Sequence, residues 1–406
     1  MNKSIIIFTD NYPFGKSEPF LDPELQFINL SFDKVSVFPF EEGKDKNIRE
    51  TPRKIEIVKP AFNEVKNKTR LLIKGVFNTS IFLKLLKEGI KSRVWLSATK
   101  FRIWATHFLM IRSLLSEIKQ RDLNNFFNQF DALYFYWGLR WSQIIPFLPQ
   151  SIKAKVIIRF HGSDLYEYAN NYYIPWRYQQ LSRINKAIVI SERGKKYIED
   201  HYPFLKDKTI VSRIGTKDYG LNPYLKSKVL HIVSCSNLVQ VKRVALIAKT
   251  LGLLKIPASW VHFGDGPEIN VILTFIKQLP RHIKGELKGA IGHDDLMTYF
   301  RTNPIDLFIN TSSSEGVPVS VMEAMSFGIP VIATNVGGTS EIVSDKTGLL
   351  IDSDFSPEEL AVKIVELTQR NDFMDIRSAS RKEWEKKSMA DKVYPEFINQ
   401  LLLIST

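Results

Sequence analysis

A single cysteine, Cys235, in 406 residues excludes an intrachain disulfide, and the histidines and this cysteine show no zinc-ligand spacing. That usage fits a reducing cytosol, with Cys235 read as a small hydrophobe in a strand rather than as a nucleophile. The chain also lacks any run of about 18 uncharged apolar residues, since every candidate is broken by Lys or Arg, so no helical membrane span is expected. Its opening, Met1-Asn2-Lys3-Ser4-Ile5-Ile6-Ile7-Phe8, is too short an apolar run for a signal peptide and reads as a first strand. Low-complexity tracts and solenoid-period repeats are missing as well, which excludes a disordered or repeat architecture. Negative charge is the other shortage: 43 Asp and Glu face 56 Lys and Arg, a formal charge of +13. The imbalance is concentrated in residues 66–120, where twelve Lys/Arg meet only Glu88 and Glu117. There Trp95, Phe101 and Trp104 interleave with Lys84, Lys87, Lys91, Arg93, Lys100 and Arg102, a pattern of amphipathic helices with cationic faces. Such faces either rest on an anionic membrane surface or are simply solvated, and both readings stay open. Without a recognition motif to accompany it, the charge is not assigned to nucleic acid.

What is present is an ordinary globular composition, 44% hydrophobic and 24% charged, in a chain long enough for two cores. Short β-branched runs alternate with helical patterns in both halves, which predicts parallel sheets flanked by helices. In the first half the expected strands are 4–9, 34–38, 55–58, 131–136, 155–160, 187–190 and 209–212; in the second they are 230–234, 260–263, 288–291, 306–310, 331–333 and 348–351. The turn-rich Gly220-Leu221-Asn222-Pro223 reads as the linker. The expected organisation is an N-terminal Rossmann-like domain at 1–220, a second at 225–390, and a helix at 391–406 that returns to the first. Ligands of such sheets lie beyond the carboxyl ends of the strands.

The most informative segment is Ser314-Glu315-Gly316-Val317-Pro318-Val319-Ser320-Val321-Met322-Glu323-Ala324-Met325. It follows the apolar run Ile305-Asp306-Leu307-Phe308-Ile309-Asn310, and Pro318 is of the residue type favoured in a first helical turn. Free N–H groups and the positive end of the dipole collect at such a helix start, so the turn around Val319 and Ser320 suits a diphosphate. Gly316 allows close backbone approach. Glu315 falls in the loop, and Glu323 falls more than a turn inside the helix, where a carboxylate suits ribose hydroxyls better than phosphate.

With Glu315-Gly316, Pro318, Glu323-Ala324-Met325, Gly328-Ile329-Pro330-Val331-Ile332-Ala333-Thr334 and Gly337-Gly338, the segment resembles glycosyltransferase family 4, of the bacterial surface-polysaccharide type. The resemblance continues more weakly over most of the chain. It implies the GT-B architecture: an α/β protein of two Rossmann-like domains facing across a cleft, with a C-terminal helix crossing back to the first. It also implies a retaining, hexosyltransferase-like enzyme that takes a nucleotide diphosphate-sugar and extends a lipid-linked glycan at the cytoplasmic side of the membrane. Another GT-B activity, such as a nucleotide-sugar epimerase or a phosphorylase, and a non-catalytic sugar-binding protein are the rival readings.

Further residues follow from the resemblance. Lys242 in Ser236-Asn237-Leu238-Val239-Gln240-Val241-Lys242-Arg243 matches a basic residue that meets the donor diphosphate, whereas Asn237 stands where many relatives carry Arg. Arg243 either compensates for that loss or is solvated. Gly264 and Gly266 match the glycine loop at the donor cleft, and Gly292 and His293 the loop whose backbone meets the nucleobase. In the first half Gly15 and Lys16 correspond to the loop beside diphosphate and acceptor, and His161 to a residue that reaches the transferred sugar, though a histidine at a strand end also serves as a turn residue. Lys242, Glu315 and His161 are thus the expected catalytic residues, in a front-face transfer without metal or cofactor. Asp352-Ser353-Asp354 has the letters of a metal-binding motif but precedes Ser356-Pro357-Glu358-Glu359, a turn and helix cap.

Overall fold

A computed structural model describes residues 3–15, 17–43, 47–62 and 79–405. Lys16 and the 66–78 portion of the basic segment lie outside the described residues. The chain divides into two compact units, Met1–Ser212 with Tyr394–Thr406, and Arg213–Val393.

The first unit holds a seven-stranded parallel sheet of order β3-β2-β1-β4-β5-β6-β7. Its strands are β1 (Ser4–Thr9), β2 (Lys34–Pro39), β3 (Ile55–Ile57), β4 (Ala132–Phe135), β5 (Lys155–Phe160), β6 (Lys186–Val189) and β7 (Thr209–Val211). Both faces are covered, so the central strands read as nearly continuous apolar runs; Ile5, Ile6 and Ile7 are fully buried. On one face Phe8 stacks on Phe135 at 4.3 Å and meets Trp141 edge-on at 5.3 Å. The helix Ala390–Ile404 closes this unit from Tyr394 onward: Tyr394 packs on Phe27 and Phe397 on Tyr134. The expected returning helix is therefore present.

Between those layers lies a buried polar group. The Arg159 guanidinium donates to Glu24 Oε2 at 2.8 Å and to the Ser212 carbonyl at 2.9 Å, while the Tyr134 hydroxyl donates to Glu24 Oε1 at 2.8 Å. Neither charged side chain is exposed. Phe397 lies under the guanidinium at 4.9 Å, so the same cation holds the C-terminal helix.

The second unit repeats the plan with six parallel strands in the order β10-β9-β8-β11-β12-β13. These are β8 (Leu230–Cys235), β9 (Ala258–Phe263), β10 (Ile283–Leu287), β11 (Leu307–Asn310), β12 (Val331–Thr334) and β13 (Gly348–Ile351). One expected strand is corrected: 288–291 is not a strand, and β10 runs instead over Ile283–Leu287. As an edge strand it alternates buried and open positions and carries Lys284, Gly285 and Glu286, so it has no apolar run to reveal it. The stretch 220–223 lies inside this unit, where Asn222 is buried, donates to the Asn303 carbonyl at 2.8 Å and accepts from the Ile305 N–H at 3.1 Å.

Removing one partner of a buried pair strands the other charge. Glu24→Ala or Arg159→Ala should therefore lower the unfolding free energy by about 3–5 kcal/mol, with Glu24→Leu/Arg159→Met costing less than the sum of its singles. Urea denaturation of the two singles and the double measures the coupling; additive losses would count against a coupled pair.

Candidate functional site

Strand order reverses between β8 and β11, and the loops leaving these two strands carry most of the predicted donor residues. The β8 loop, 236–243, is laced to the β11 loop, 311–318. Ser313 donates its N–H to the Val241 carbonyl at 2.8 Å, and Thr311 Oγ1 donates to the Lys242 carbonyl at 3.1 Å. The Lys242 ammonium meets Glu315 Oε1 at 2.6 Å, and Asn310 Nδ2 reaches the same oxygen at 3.3 Å. Two predicted catalytic residues 73 positions apart are thus in direct contact.

Arg243 does something different from either expectation. Its backbone is left-handed, φ 50°, and its guanidinium donates to the carbonyls of Thr311 at 2.7 Å and Ser353 at 2.5 Å while lying over Phe355. It ties the β8 loop to the β11 and β13 loops. Asn237 is exposed on the same loop.

Glycines fix the height of these loops. A Cβ on Gly264, φ 139°, would lie 1.9 Å from the Ser236 carbonyl oxygen, and one on Gly337, φ 56°, 1.9 Å from the Glu315 carbonyl oxygen. Gly264 and its neighbour Gly266 therefore support the β8 loop from below, and Gly337 supports Glu315. Gly338 donates its N–H to the Gly316 carbonyl at 2.6 Å.

Beyond Gly316 the chain enters the helix Val319–Ser326, with Pro318 as its extended cap residue and Val319 and Ser320 half-buried at its first positions. Glu323 follows on this helix and is buried, with Oε1 2.7 Å from His293 Nε2. His293 opens the helix His293–Thr302 directly after Gly292. The Glu323 hydrogen bond raises the imidazole pKa against the opposing effect of burial. Cys235, below them, has its thiol pushed up to about 12 by burial, consistent with an inert packing residue. Asp352 and Asp354 are exposed in a turn before the helix Pro357–Thr368, which Ser356 Oγ caps by accepting the Glu359 N–H at 3.1 Å.

In the first unit, the strand order reverses between β1 and β4, and a second polar group gathers beyond their ends. Gly15, φ 64°, donates to the Asn47 carbonyl at 2.9 Å and accepts from Arg49 Nε at 2.7 Å. His161 is buried among Trp137, Tyr136 and Phe20, with ring centroids at 4.3, 4.8 and 5.6 Å. Neither of its ring nitrogens makes a hydrogen bond among the described residues, and Nδ1 stands 3.9 Å from Asp164 Oδ2. Burial opposes ionisation of Asp164, but the His161 imidazole and the N–H groups of Gly138 and His161, each at 2.7 Å, hold it below the usual carboxylate range.

Three further residues here escaped the sequence reading. Glu18 accepts the N–H groups of Asp10, Asn11 and Tyr12 at 3.1, 2.9 and 2.7 Å and the Trp137 indole N–H at 2.6 Å, and so shapes the loop that contains Gly15. Asp10, at the end of β1, is raised to about 7, chiefly by burial and against the pull of Arg140. Arg140 bridges Asp10 at 3.6 Å and Glu41 at 3.0 Å. Only the position of Asp10 at a strand's carboxyl end offered a signal.

Residues 223–388, which include every predicted site residue of the second unit, match the family model for glycosyl transferases group 1. The chain is 25% identical over 253 residues to N-acetyl-alpha-D-glucosaminyl L-malate synthase of Bacillus anthracis, a match spanning 58% of this chain and 63% of that protein. It is 23% identical over 343 residues to the putative teichuronic acid biosynthesis glycosyltransferase TuaC of Bacillus subtilis, spanning 81% of this chain and 78% of that one. The crystal structure of Anabaena HepE in complex with UDP and glucose superposes with a TM-score of 0.66 at 15% identity, covering 98% of this chain and 99% of that one. At that identity the likeness is one of fold.

The β8 loop also depends on a neutral histidine. His262 is fully buried, its Nε2 3.0 Å from the Ser236 carbonyl and its Nδ1 2.8 Å from Ser234 Oγ. Because a carbonyl only accepts, Nε2 carries the hydrogen and Nδ1 accepts from the hydroxyl. Burial lowers its pKa to about 4 from an ordinary 6.5. The unfolded chain then binds a proton first as pH falls, so this contribution is intact above pH 6.5 and is lost between 6.5 and about 4. Wild type should lose on the order of 3 kcal/mol more than His262→Gln across that window, by urea denaturation at stepped pH; parallel profiles would contradict it.

Proposed function

From the premise that this chain is a glycosyltransferase of GT-B fold with its group 1 domain at residues 223–388, we propose that it transfers a sugar, with retention, from a nucleotide diphosphate donor to a growing lipid-linked glycan in bacterial polysaccharide biosynthesis. The observation that carries the donor reading is the Lys242–Glu315 contact beside the start of the helix Val319–Ser326. It sets a cation and free N–H groups next to a carboxylate able to take sugar hydroxyls, the combination a nucleotide diphosphate-sugar requires. Glu323 takes the ribose and Glu315 the transferred sugar.

In the transfer, the acceptor hydroxyl oxygen bonds to the anomeric carbon as the bond from that carbon to the diphosphate oxygen breaks on the same face. The hydroxyl proton passes to the departing phosphate, and configuration is retained. The alternative of a carboxylate nucleophile needs a free carboxylate beneath the sugar; Glu315 is engaged with Lys242 and Asn310, which favours the front-face route. Lys242 and the helix start stabilise the charge that grows on the leaving group, and no metal ion is invoked.

On this reading the protein meets the membrane that carries its acceptor through the surface around the helices Thr79–Lys91 and Ala98–Gln120. Ile90, Trp95, Leu96 and Phe101 are exposed there beside Lys91, Arg93 and Arg102. Exposed apolar and cationic side chains together suit an anionic lipid surface at the cytoplasmic face. Among the described residues no helix is long and apolar enough to cross a membrane.

Three measurements test this reading. With a panel of UDP- and GDP-sugars and a glycolipid acceptor, nucleotide diphosphate should be released only when acceptor is present, and chelator should not change the rate. Folded Lys242→Ala should lose about a hundredfold or more in turnover, with a smaller change in donor affinity; near-normal turnover would remove Lys242 from the mechanism. Vesicles containing phosphatidylglycerol should sediment the protein, and high salt should release it. Equal recovery on phosphatidylcholine vesicles would remove the membrane surface from the proposal.

A further inference from the structure

We propose that His293 is a positioning residue that makes the nucleotide site selective for an intact ribose, acting through Glu323; this rests on the donor reading given above. Glu323 is a long side chain on a helix, and without a partner its carboxylate samples several rotamers. His293 removes that freedom, because its Nε2 is 2.7 Å from Glu323 Oε1. The imidazole is itself held in place. Its Nδ1 is 4.0 Å from Asp294 Oδ1, its ring faces the edge of Tyr219 at 6.1 Å, and Tyr219 stacks on Phe327 at 6.4 Å. Lys217 is the other charge that acts on it.

The pair is anchored from its carboxylate side. Glu323 is buried on its helix, and the exposed His293, at the first position of the helix His293–Thr302, is tied to that buried carboxylate through Nε2. The imidazole uses one acceptor position of Oε1 and leaves Oε2 for the vicinal hydroxyls of a ribose. A carboxylate fixed before the ligand arrives costs no ordering when it binds. It also penalises a nucleoside without those hydroxyls, since the buried carboxylate then goes unpaired on that side. Selectivity for ribose over deoxyribose should therefore depend on His293 even though His293 does not touch the sugar.

The experiment is calorimetric titration of UDP and GDP, each beside its 2′,3′-dideoxy form. Wild type should prefer the tighter ribonucleotide by about a hundredfold, the scale of hydrogen bonds to a charged group. Glu323→Ala should abolish the preference. His293→Ala should cut it by about tenfold with little change for the dideoxy form, and His293→Gln, whose amide N–H can stand in for Nε2–H, should restore most of it. Should His293→Ala melt early, His293→Asn keeps a polar side chain too short to reach Glu323 and should behave as the alanine does. Full preference retained in folded His293→Ala or His293→Asn, with the preference lost in Glu323→Ala, overturns the proposal and leaves the donor reading standing. A preference that survives Glu323→Ala, or none in wild type, overturns the assignment of Glu323 to the ribose and this proposal with it.

Discussion

The contact between the Lys242 ammonium and the Glu315 carboxylate joins the loops that leave β8 and β11, and the surrounding structure is arranged to keep those loops at that separation. Parallel strands point their carboxyl ends the same way, so reversal of strand order opens a crevice between two neighbouring loops. The loops must then be held together at some points and left apart at others. Ser313, Thr311 and the Arg243 guanidinium do the holding through backbone carbonyls, and Gly264 and Gly337 allow backbone to approach where any side chain would collide. A surface ion pair contributes little stability in water. This pair matters for position.

Each unit solves the problem of polar groups inside a sheet in its own way. In the first, charge is buried and paired: Arg159 and Glu24 satisfy one another, with Tyr134, Ser212 and Phe397 completing the surroundings. In the second, the buried polar residue between β8 and β9 is kept neutral. His262 receives from Ser234, which also accepts from Trp260 at 2.8 Å, and donates to Ser236. The first arrangement fixes the C-terminal helix and the second fixes the β8 loop.

Strands inside a sheet were legible in the residues, because burial on both faces of a parallel sheet leaves an apolar stretch; β1 and β5 begin and end where they were expected. The edge strand β10 was not, since one side of an edge is open and Lys284 and Glu286 are tolerated there. At the site, the loop and helix from Glu315 to Glu323 could be read from residue order alone. What they touch could not. Lys242 and Glu315 are 73 residues apart, and His293 and Glu323 are 30, so only the fold brings them together. Arg243 shows the other limit: its charge left compensation and solvation open, and the fold adds a contact that neither reading named, the guanidinium donating to carbonyls of its own unit.

That assignment of Arg243 bears on how the site handles negative charge. With Asn237 neutral and the Arg243 guanidinium occupied by the Thr311 and Ser353 carbonyls, Lys242 is the cation that the two facing loops present together with Glu315. An ammonium has three N–H donors; among the described residues Glu315 takes one, which on the donor reading leaves the others for a phosphate. On the donor reading, pairing with Glu315 also offsets part of the lysine's charge and so weakens its hold on a diphosphate bound through the helix start. On the donor reading this is no defect. Interactions that are equally strong before and during bond breaking lower the energy of bound donor without speeding its reaction. A partly neutralised lysine, held in place by its partner, responds most as the leaving group gains charge and its two remaining N–H bonds strengthen. Glu315 would then serve the departing phosphate through Lys242 while it binds the sugar directly, and the ion pair is the feature that joins the two tasks.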